Sequence, residues 1–564
     1  MKKIAKFLNK ISFLLIPIII TVLMLGLRLV HFSSVDDMYI LYIAESLKTN
    51  AHSEHLFFVS VILGYLFKGL YMLTPVINWF CVGEIFAATL AFIAMHRIVK
   101  TGGGSIIATS ILMMLQVVFL NSITYTGIAF TLPIVGGIWI LTYVDDLSKE
   151  SIKHFVLAFF MMFLGFSFRM GKTFYCVIII VLSLVYIGLK SKRTTFSVVA
   201  LLLVFCVVAN YSVMGIEKIY QMQHPEPTLY YEFQKNRATA YDVPLPDFEK
   251  NEEALRAVGI SENDLKLMHF ALYGDANVFS PEAMKAISDC NGFEERYEKN
   301  PLKLIMDFVT SQIVVVNVFI VFLLLAVLAL IFSKGKRMEV LAVILAISAN
   351  VAFLFFRKRG LPRVYNPIAM AGVFIIVYFF IQEKATIIEL AMNTFKKIDI
   401  KKTTIALFLI VAIAFSGVSV FNTEFRILKT ENVRTYLQND EEHTYLAHSW
   451  ARNYMHDRNL SVLRKNFMDI PVVVSMGEWY IYSNYWNDYH RNNGLEDYTE
   501  TPYFALLEEN VYYLTEYADQ ADMIETFFEE NYQMDVDYQE VDAVPDDNNV
   551  TKYHIYDFYV ADQQ

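Results

Sequence analysis

Long apolar runs set the organisation of this chain. Stretches of spanning or near-spanning length run over Ile11–Val30, Leu56–Val76, Ile77–His96, Ser105–Leu120, Ile123–Val144, Phe155–Phe168, Thr173–Leu189, Thr195–Met214, Ile305–Phe332, Val340–Phe356, Ile368–Ile381 and Thr404–Val420. Phe155–Phe168 and Ile368–Ile381 are short, so their ends are open. Basic residues punctuate the runs at Lys2/Lys3/Lys6, Arg97/Lys100, Lys190/Lys192/Arg193, Lys334/Lys336/Arg337 and Lys396/Lys397/Lys401/Lys402. The bias of such residues toward the cytoplasmic side orients the runs, and between any two cytoplasmic anchors the number of crossings must be even. The count fails only between Lys6 and Arg97, where three runs lie. Leu56–Val76 is the one read as not crossing. It carries Lys68, and Ser60, Gly64 and Lys68 recur every fourth residue, a weakly polar stripe on a helix lying in the interface. Eleven spans remain, with the N-terminus inside and the C-terminus outside. The first run is too long for a signal core and no small-residue cleavage site follows it, so it reads as an uncleaved anchor.

Beyond about residue 421 the pattern changes to short strand-like and helix-like pieces. Val472–Met476 and Tyr553–Tyr556 read as strands, and Pro502–Glu509 and Ile524–Tyr532 as helices. Residues 422–564 are therefore expected to form a small extracytoplasmic α/β domain behind a membrane part, 1–421. Within the membrane part, 31–76 is a first outer loop with its interfacial helix, and 216–304 is a large outer loop. Ser261 with Asp264 fits a capping box opening a helical stretch to Phe279.

Composition sharpens this division. Hydrophobic residues make up 55% of the 564 and charged residues only 18%, below the usual share for soluble domains. The net charge of −10 is uneven. Residues 430–564 hold 27 acidic and 7 basic side chains, which leaves the rest of the chain positive. Nothing suggests a nucleic-acid binder. Cys81, Cys176, Cys206 and Cys290 show no metal-binding or disulfide spacing. The tail has no nucleophile elbow or phosphate loop, and the cytoplasmic loops are too short for a nucleotide-binding domain.

The candidate chemistry sits on the predicted outer face. Asp36 and Asp37 directly follow the first span. A solvated loop with Ser33 or Ser34 capping a helix and the acids in its first turn would explain them equally well. Glu54 and His55 precede the interfacial helix. Arg169 and Lys172 lie in a tight hairpin, and Arg357, Lys358, Arg359 and Arg363 form a basic link that parity also places outside. Charge at bilayer depth costs on the order of 2.5–3.5 kcal/mol, so basic residues there call for an anionic partner, and phosphate suits the arginine fork. The plainer alternatives are that Arg169 snorkels to headgroups and that 357–363 is cytoplasmic. Arg237, in the large outer loop, is a further candidate for substrate binding.

Taken together, the first span, the Asp36-Asp37 loop, the interfacial helix, the large outer loop and the terminal outer domain resemble the GT-C-type integral membrane glycosyltransferases. These use polyprenyl-phosphate sugars and are related to protein mannosyltransferases and aminoarabinose transferases. The similarity is greatest to a bacterial branch whose first loop reads D-D and then E-H-L, here Asp36-Asp37 and Glu54-His55-Leu56. It covers about residues 1–420 as an architecture with short motifs, and there is no strong acceptor motif. The resemblance implies a GT-C-like helical bundle in a bacterial plasma membrane. It implies transfer of a sugar from a polyprenyl-phosphate donor to an extracytoplasmic glycan or lipid acceptor. Asp36 or Asp37 would be the general base, with Arg169, Lys172, Arg359 and Arg363 at the lipid phosphate. The acids could also hold a divalent cation (Mg or Mn), which some relatives need. A polysaccharide polymerase or ligase, a lipid or solute transporter, and a membrane scaffold remain alternatives. Glu84 is the clearest mid-span charge a transport path would use.

Overall fold

The computed structural model describes residues 2–33, 35–46, 52–103, 106–291, 296–314, 318–332, 335–382, 431–440, 442–448 and 473–561. The expected span Thr404–Val420 lies outside them. The chain is mostly helical, with a small sheet near its C-terminus. The helices run α1 (Lys2–Gly26), α2 (Val35–Glu45), α3 (Val61–Leu73), α4 (Trp79–Thr101), α5 (Ile106–Leu120), α6 (Tyr125–Tyr143), α7 (Ile152–Phe168), α8 (Lys172–Lys190) and α9 (Phe196–Gln223). Four shorter ones follow: α10 (Thr228–Ala240), α11 (Phe248–Arg256), α12 (Glu262–His269) and α13 (Pro281–Cys290). Then come α14 (Pro301–Val314), α15 (Val318–Phe332), α16 (Arg337–Phe356) and α17 (Pro362–Gln382).

Among the described residues, seven helices are long and apolar enough to cross a membrane: α4, α6, α7 with the turn before it, α8, α9, α16 and α17. Their outward faces carry apolar side chains where a water-soluble bundle would carry charge, among them Phe86, Val156, Phe160, Leu182, Val204 and Leu345. α6 is buried along its whole length and forms the axis of the bundle. Glycines let its neighbours close in. A Cβ at Gly137 would meet Leu184 of α8 at 2.7 Å, and one at Gly165 of α7 would meet Pro133 at 2.6 Å.

Several boundaries differ from the sequence reading. The two short runs gain length at their N-terminal ends, starting at Ile152 and Pro362, because polar residues there continue the helical turns. Within the run 305–332, helix is described over Pro301–Val314 (α14) and Val318–Phe332 (α15). α3 has 13 residues, about 20 Å at 1.5 Å per residue, against a hydrocarbon core of about 30 Å. It starts at Val61, capped by the Ser60 side chain on the Ile62 amide.

Contacts sort the bundle into two ends. At one, Lys100 donates to the Lys10 carbonyl (2.6 Å), Thr101 pairs with Tyr143 (2.7 Å), and Arg193 pairs with Asp145. Two groups that the sequence assigns as cytoplasmic anchors, Arg97/Lys100 and Arg193, therefore lie toward the same end of the bundle. The other end collects the start of α2, the start of α6, the end of α7 and the start of α17.

The described parts of residues 216–304 and of the tail pack over that second end. The tail comprises α18 (Glu431–Asn439), β1 (Thr444–Ala447), β2 (Val473–Ser475), α19 (Asn484–Asn492), β3 (Val511–Thr515), α20 (Asp519–Tyr532), β4 (Val536–Pro545) and β5 (Lys552–Val560). The five strands make one mixed sheet in the order β2-β1-β3-β5-β4, with β1 parallel to β2 and β3, and β5 antiparallel to β3 and β4. The predicted helix 502–509 is a 3-10 turn over Pro502–Leu507. The Ser261–Asp264 capping box is present, but α12 stops at His269, and Ala271 adopts φ 59°. The loop and tail share a core. Tyr482 and Tyr503 donate to the carbonyls of Gly274 and Leu272, both at 2.9 Å, and Tyr532 donates to Asp275 (2.8 Å).

Close packing gives a direct test. A Cβ at Gly64 of α3 would overlap the backbone of Glu54, whereas one at Gly69 would meet open space. Gly64→Ala is expected to cost about 1–3 kcal/mol by overpacking. A lower melting temperature for Gly64→Ala, with no loss for Gly69→Ala, checks it.

Candidate functional site

The site begins with a short pairing behind α1. Ile123 donates to the His31 carbonyl (2.9 Å) and Ser33 to that of Ile123 (2.8 Å), which sets the start of α2 beside the start of α6. The two acids of α2 lie in its first turn, as expected, and meet different surroundings. Asp37 is fully buried and accepts the Tyr125 amide (2.9 Å), so it caps α6. Its other oxygen is sealed from solvent, and the buried carboxyl of Glu84 in α4 is near enough for the two charges to act on each other. Asp36 is partly exposed, and its Oδ2 lies 3.4 Å from Nη2 of Arg363 at the start of α17.

Arg169, at the end of α7, donates to the Tyr125 hydroxyl and to Thr126 Oγ1 (2.9 Å). Its guanidinium lies 5.4 Å from the Phe58 ring centroid and 5.0 Å from that of Tyr125. The charges of Asp36, Asp37, Arg169 and Arg363 all act on Tyr125. Lys172 opens α8, and its side chain lies outside the described part. Arg359 pairs with Asp242 (3.1 Å), which also pairs with the buried Arg237 (3.4 Å). Asp242 thus ties the 357–363 link to the large loop. Arg237 is near enough to feel the charge of Asp36.

Glu54 and His55 serve a second network. Glu54 pairs with Lys68 of α3 (2.6 Å) and accepts from Tyr220 (3.2 Å). His55 Nδ1 lies 2.7 Å from Glu226, and its Nε2 lies 3.9 Å from Glu217. Glu226 in turn accepts the Asn484 amide of the tail (2.7 Å). These residues join the first loop to α3, α9 and the tail.

The tail also reaches the acids. Tyr39, one turn after Asp36, donates to Glu478, and the Trp479 ring packs on Phe58 (4.6 Å) and Phe57 (5.2 Å). Sequence reasoning missed Tyr39, Tyr125, Asp242 and Glu478 as site residues. None stands in a recognisable spacing, and their roles come from elements far apart in the chain. The donor set does not make a cation cage. One Asp37 oxygen is taken by Tyr125, and among the described residues no three His, Cys, Asp or Glu side chains converge on a metal position.

Burial, with help from the Asp36 charge, pushes the Asp37 carboxyl from 3.8 up to about 7, against the Tyr125 amide and Arg363. A raised value means the folded chain holds a proton that the unfolded chain has released. That stabilisation is whole below about pH 4 and is lost as pH rises through about 7. Asp275, raised by burial to about 6, acts in the same direction at slightly lower pH. The melting temperature is expected to fall between about pH 4 and about pH 7, and Asp37→Asn to remove the upper part of that slope.

No protein-family model matches this chain, and neither a curated protein nor a solved structure is similar to it.

Proposed function

We propose that the protein is a membrane glycosyltransferase of GT-C type, moving a sugar from a polyprenyl-phosphate donor to an extracytoplasmic acceptor. The observation that carries this reading is the Asp36–Arg363 pair, with Arg169 on the adjoining Tyr125. One carboxylate and two guanidinium groups from three separate elements meet at one end of an apolar bundle. A lipid-linked donor brings its own phosphate leaving group. The enzyme then needs a base for the acceptor hydroxyl and positive charge for the departing phosphate. Asp36 is the base, because it is accessible while Asp37 is sealed in the α6 cap. Arg363 and Arg169 hold the phosphate, and binding it would free Asp36 from its ion pair. In-line attack with Asp36 taking the proton inverts the anomeric centre. Arg359 and Arg237, joined through Asp242, hold the large loop over the site. α3 lies in the membrane interface, and the site end faces outward. No metal is needed for these steps.

The test has two arms. Membranes containing the full chain are supplied with undecaprenyl-phosphoryl sugars carrying labelled glucose, mannose or arabinose, and label is followed into envelope glycan and lipid. Cysteine placed at exposed Glu232 is probed with a membrane-impermeant maleimide on intact cells. Transfer and labelling support the reading. A cytoplasmic Glu232 would overturn it, since the donor would then be on the wrong face.

A further inference from the structure

Between the large loop and α15 lies α14, whose side chains sort into three faces. Leu302, Ile305, Met306 and Val309 fall at the i, i+3, i+4, i+7 spacing of one helical face and are 48–64% exposed. Leu304 and Phe308, one turn apart, are half-buried against the protein. The Phe308 ring packs on Phe319 of α15 (5.2 Å) and on Phe355 of α16 (5.3 Å). Lys303, Asp307 and Thr310 are exposed along the third face. A water-soluble helix would bury four large apolar side chains, and a helix crossing a bilayer would not carry Lys and Asp on its outside. An apolar face beside a charged one suits a helix lying in the membrane surface.

Position points the same way. Just before α14, the Glu298 amide donates to the carbonyl of Phe356, the last residue of α16 (2.8 Å). Phe308 still touches Phe355 at that same end, although a helix running down α16 would have descended about 10 Å between Pro301 and Phe308. α14 therefore passes across the end of α16 instead of along it. This is also the end that holds the candidate site, because the Phe355 ring packs on Tyr365 (5.7 Å), two residues after Arg363.

Charge completes the pattern. Around the start of α14, Lys299, Lys303, Arg357 and Lys358 stand against Glu298 and Asp307. Lys303 pairs with Glu298 (3.2 Å), and Arg357 lies over the Tyr297 ring (5.3 Å). A basic surplus with a tyrosine, beside an apolar face, matches the headgroup layer of a bilayer. In a two-fold contact between copies of this chain the same basic flank would meet itself, so lipid is the better occupant.

We propose that α14 is an in-plane helix on the leaflet at the site end, with its apolar face sunk among phospholipid acyl chains. The crossing within 305–332 then begins after α14 and not at Ile305. None of this depends on the transferase reading.

The full chain, with its four native cysteines replaced by alanine, is reconstituted in lipid nanodiscs with a nitroxide on Leu302→Cys, Val309→Cys or Thr310→Cys. Accessibility to oxygen and to a nickel chelate gives the depth of each label. The labels at 302 and 309 are expected at equal depth, about 5–10 Å below the headgroup boundary, with the label at 310 open to nickel. In a crossing helix the first two, seven residues apart, would differ by about 10 Å in depth, which would overturn the proposal. Nickel access at both 302 and 309 also overturns it. So does shielding of both from oxygen and nickel alike, the signature of a face covered by a second copy or another protein. Cys81 and Cys206 are buried, so their removal could prevent folding. Benzoylphenylalanine at Ile305 or Thr310 in the otherwise native chain then serves instead. Crosslinks to lipid from 305 and not from 310 support the in-plane helix, and crosslinks from 305 to protein, or from both positions to lipid, overturn it.

Discussion

Asp36→Asn is expected to lower kcat for sugar transfer by about 100- to 10,000-fold, the range for loss of a positioned general base. The amide keeps the size of the side chain and its bond to Arg363, so donor binding and melting temperature should stay close to wild type. Asp37→Asn provides the contrast. Asparagine can still accept the Tyr125 amide through its carbonyl oxygen, so the site should be retained with only a modest loss of turnover. Turnover and equilibrium binding measured on both variants decide the matter. If Asp37→Asn is the dead variant and Asp36→Asn turns over normally, the assignment of the base is wrong.

Removing Arg169 is the second large effect. Its guanidinium is held by the Tyr125 hydroxyl and Thr126 and lies against two aromatic rings, so little entropy is lost when it meets a phosphate. Arg169→Gln is expected to weaken undecaprenyl phosphate binding by about 10- to 100-fold, as for loss of a charge-assisted hydrogen bond. Arg169→Lys should recover only part of it, because an ammonium cannot keep the fork geometry or the ring contacts. Tyr125→Phe, which removes the hydroxyl that orients Arg169, should fall between the two. Arg359→Gln should do less than Arg169→Gln, since Arg359 is engaged by Asp242, which it shares with Arg237, while among the described residues Arg169 donates to two hydroxyls and pairs with no acid. An Arg359 effect equal to that of Arg169 would contradict this ranking.

The sequence by itself determined a mostly helical chain with helices long and apolar enough to cross a membrane, because an apolar run of about twenty residues has few fates other than a buried or membrane helix. The structure gathers Lys100 and Arg193 near one end of the bundle and Asp36, Arg169 and Arg363 at the other. The capping box at Ser261 and the strands near 473 and 553 were legible for the same reason: each is a local pattern enforced by backbone hydrogen bonding.

Tertiary structure alone decided which acid is buried and which is open. Asp36 and Asp37 are neighbours in one helical turn, and no local signal distinguishes them. Helical geometry points one toward Tyr125 and Glu84 and the other toward Arg363. The same holds for Glu54 and His55, whose partners Lys68, Glu217 and Glu226 come from α3 and beyond. It holds most of all for Glu478 and Trp479, which lie more than four hundred residues from Asp36 and meet the first loop only because the tail packs on the 216–304 segment. Residue type and periodicity act over a turn or two of chain, whereas ion pairing and burial depend on which distant elements the packed core brings together.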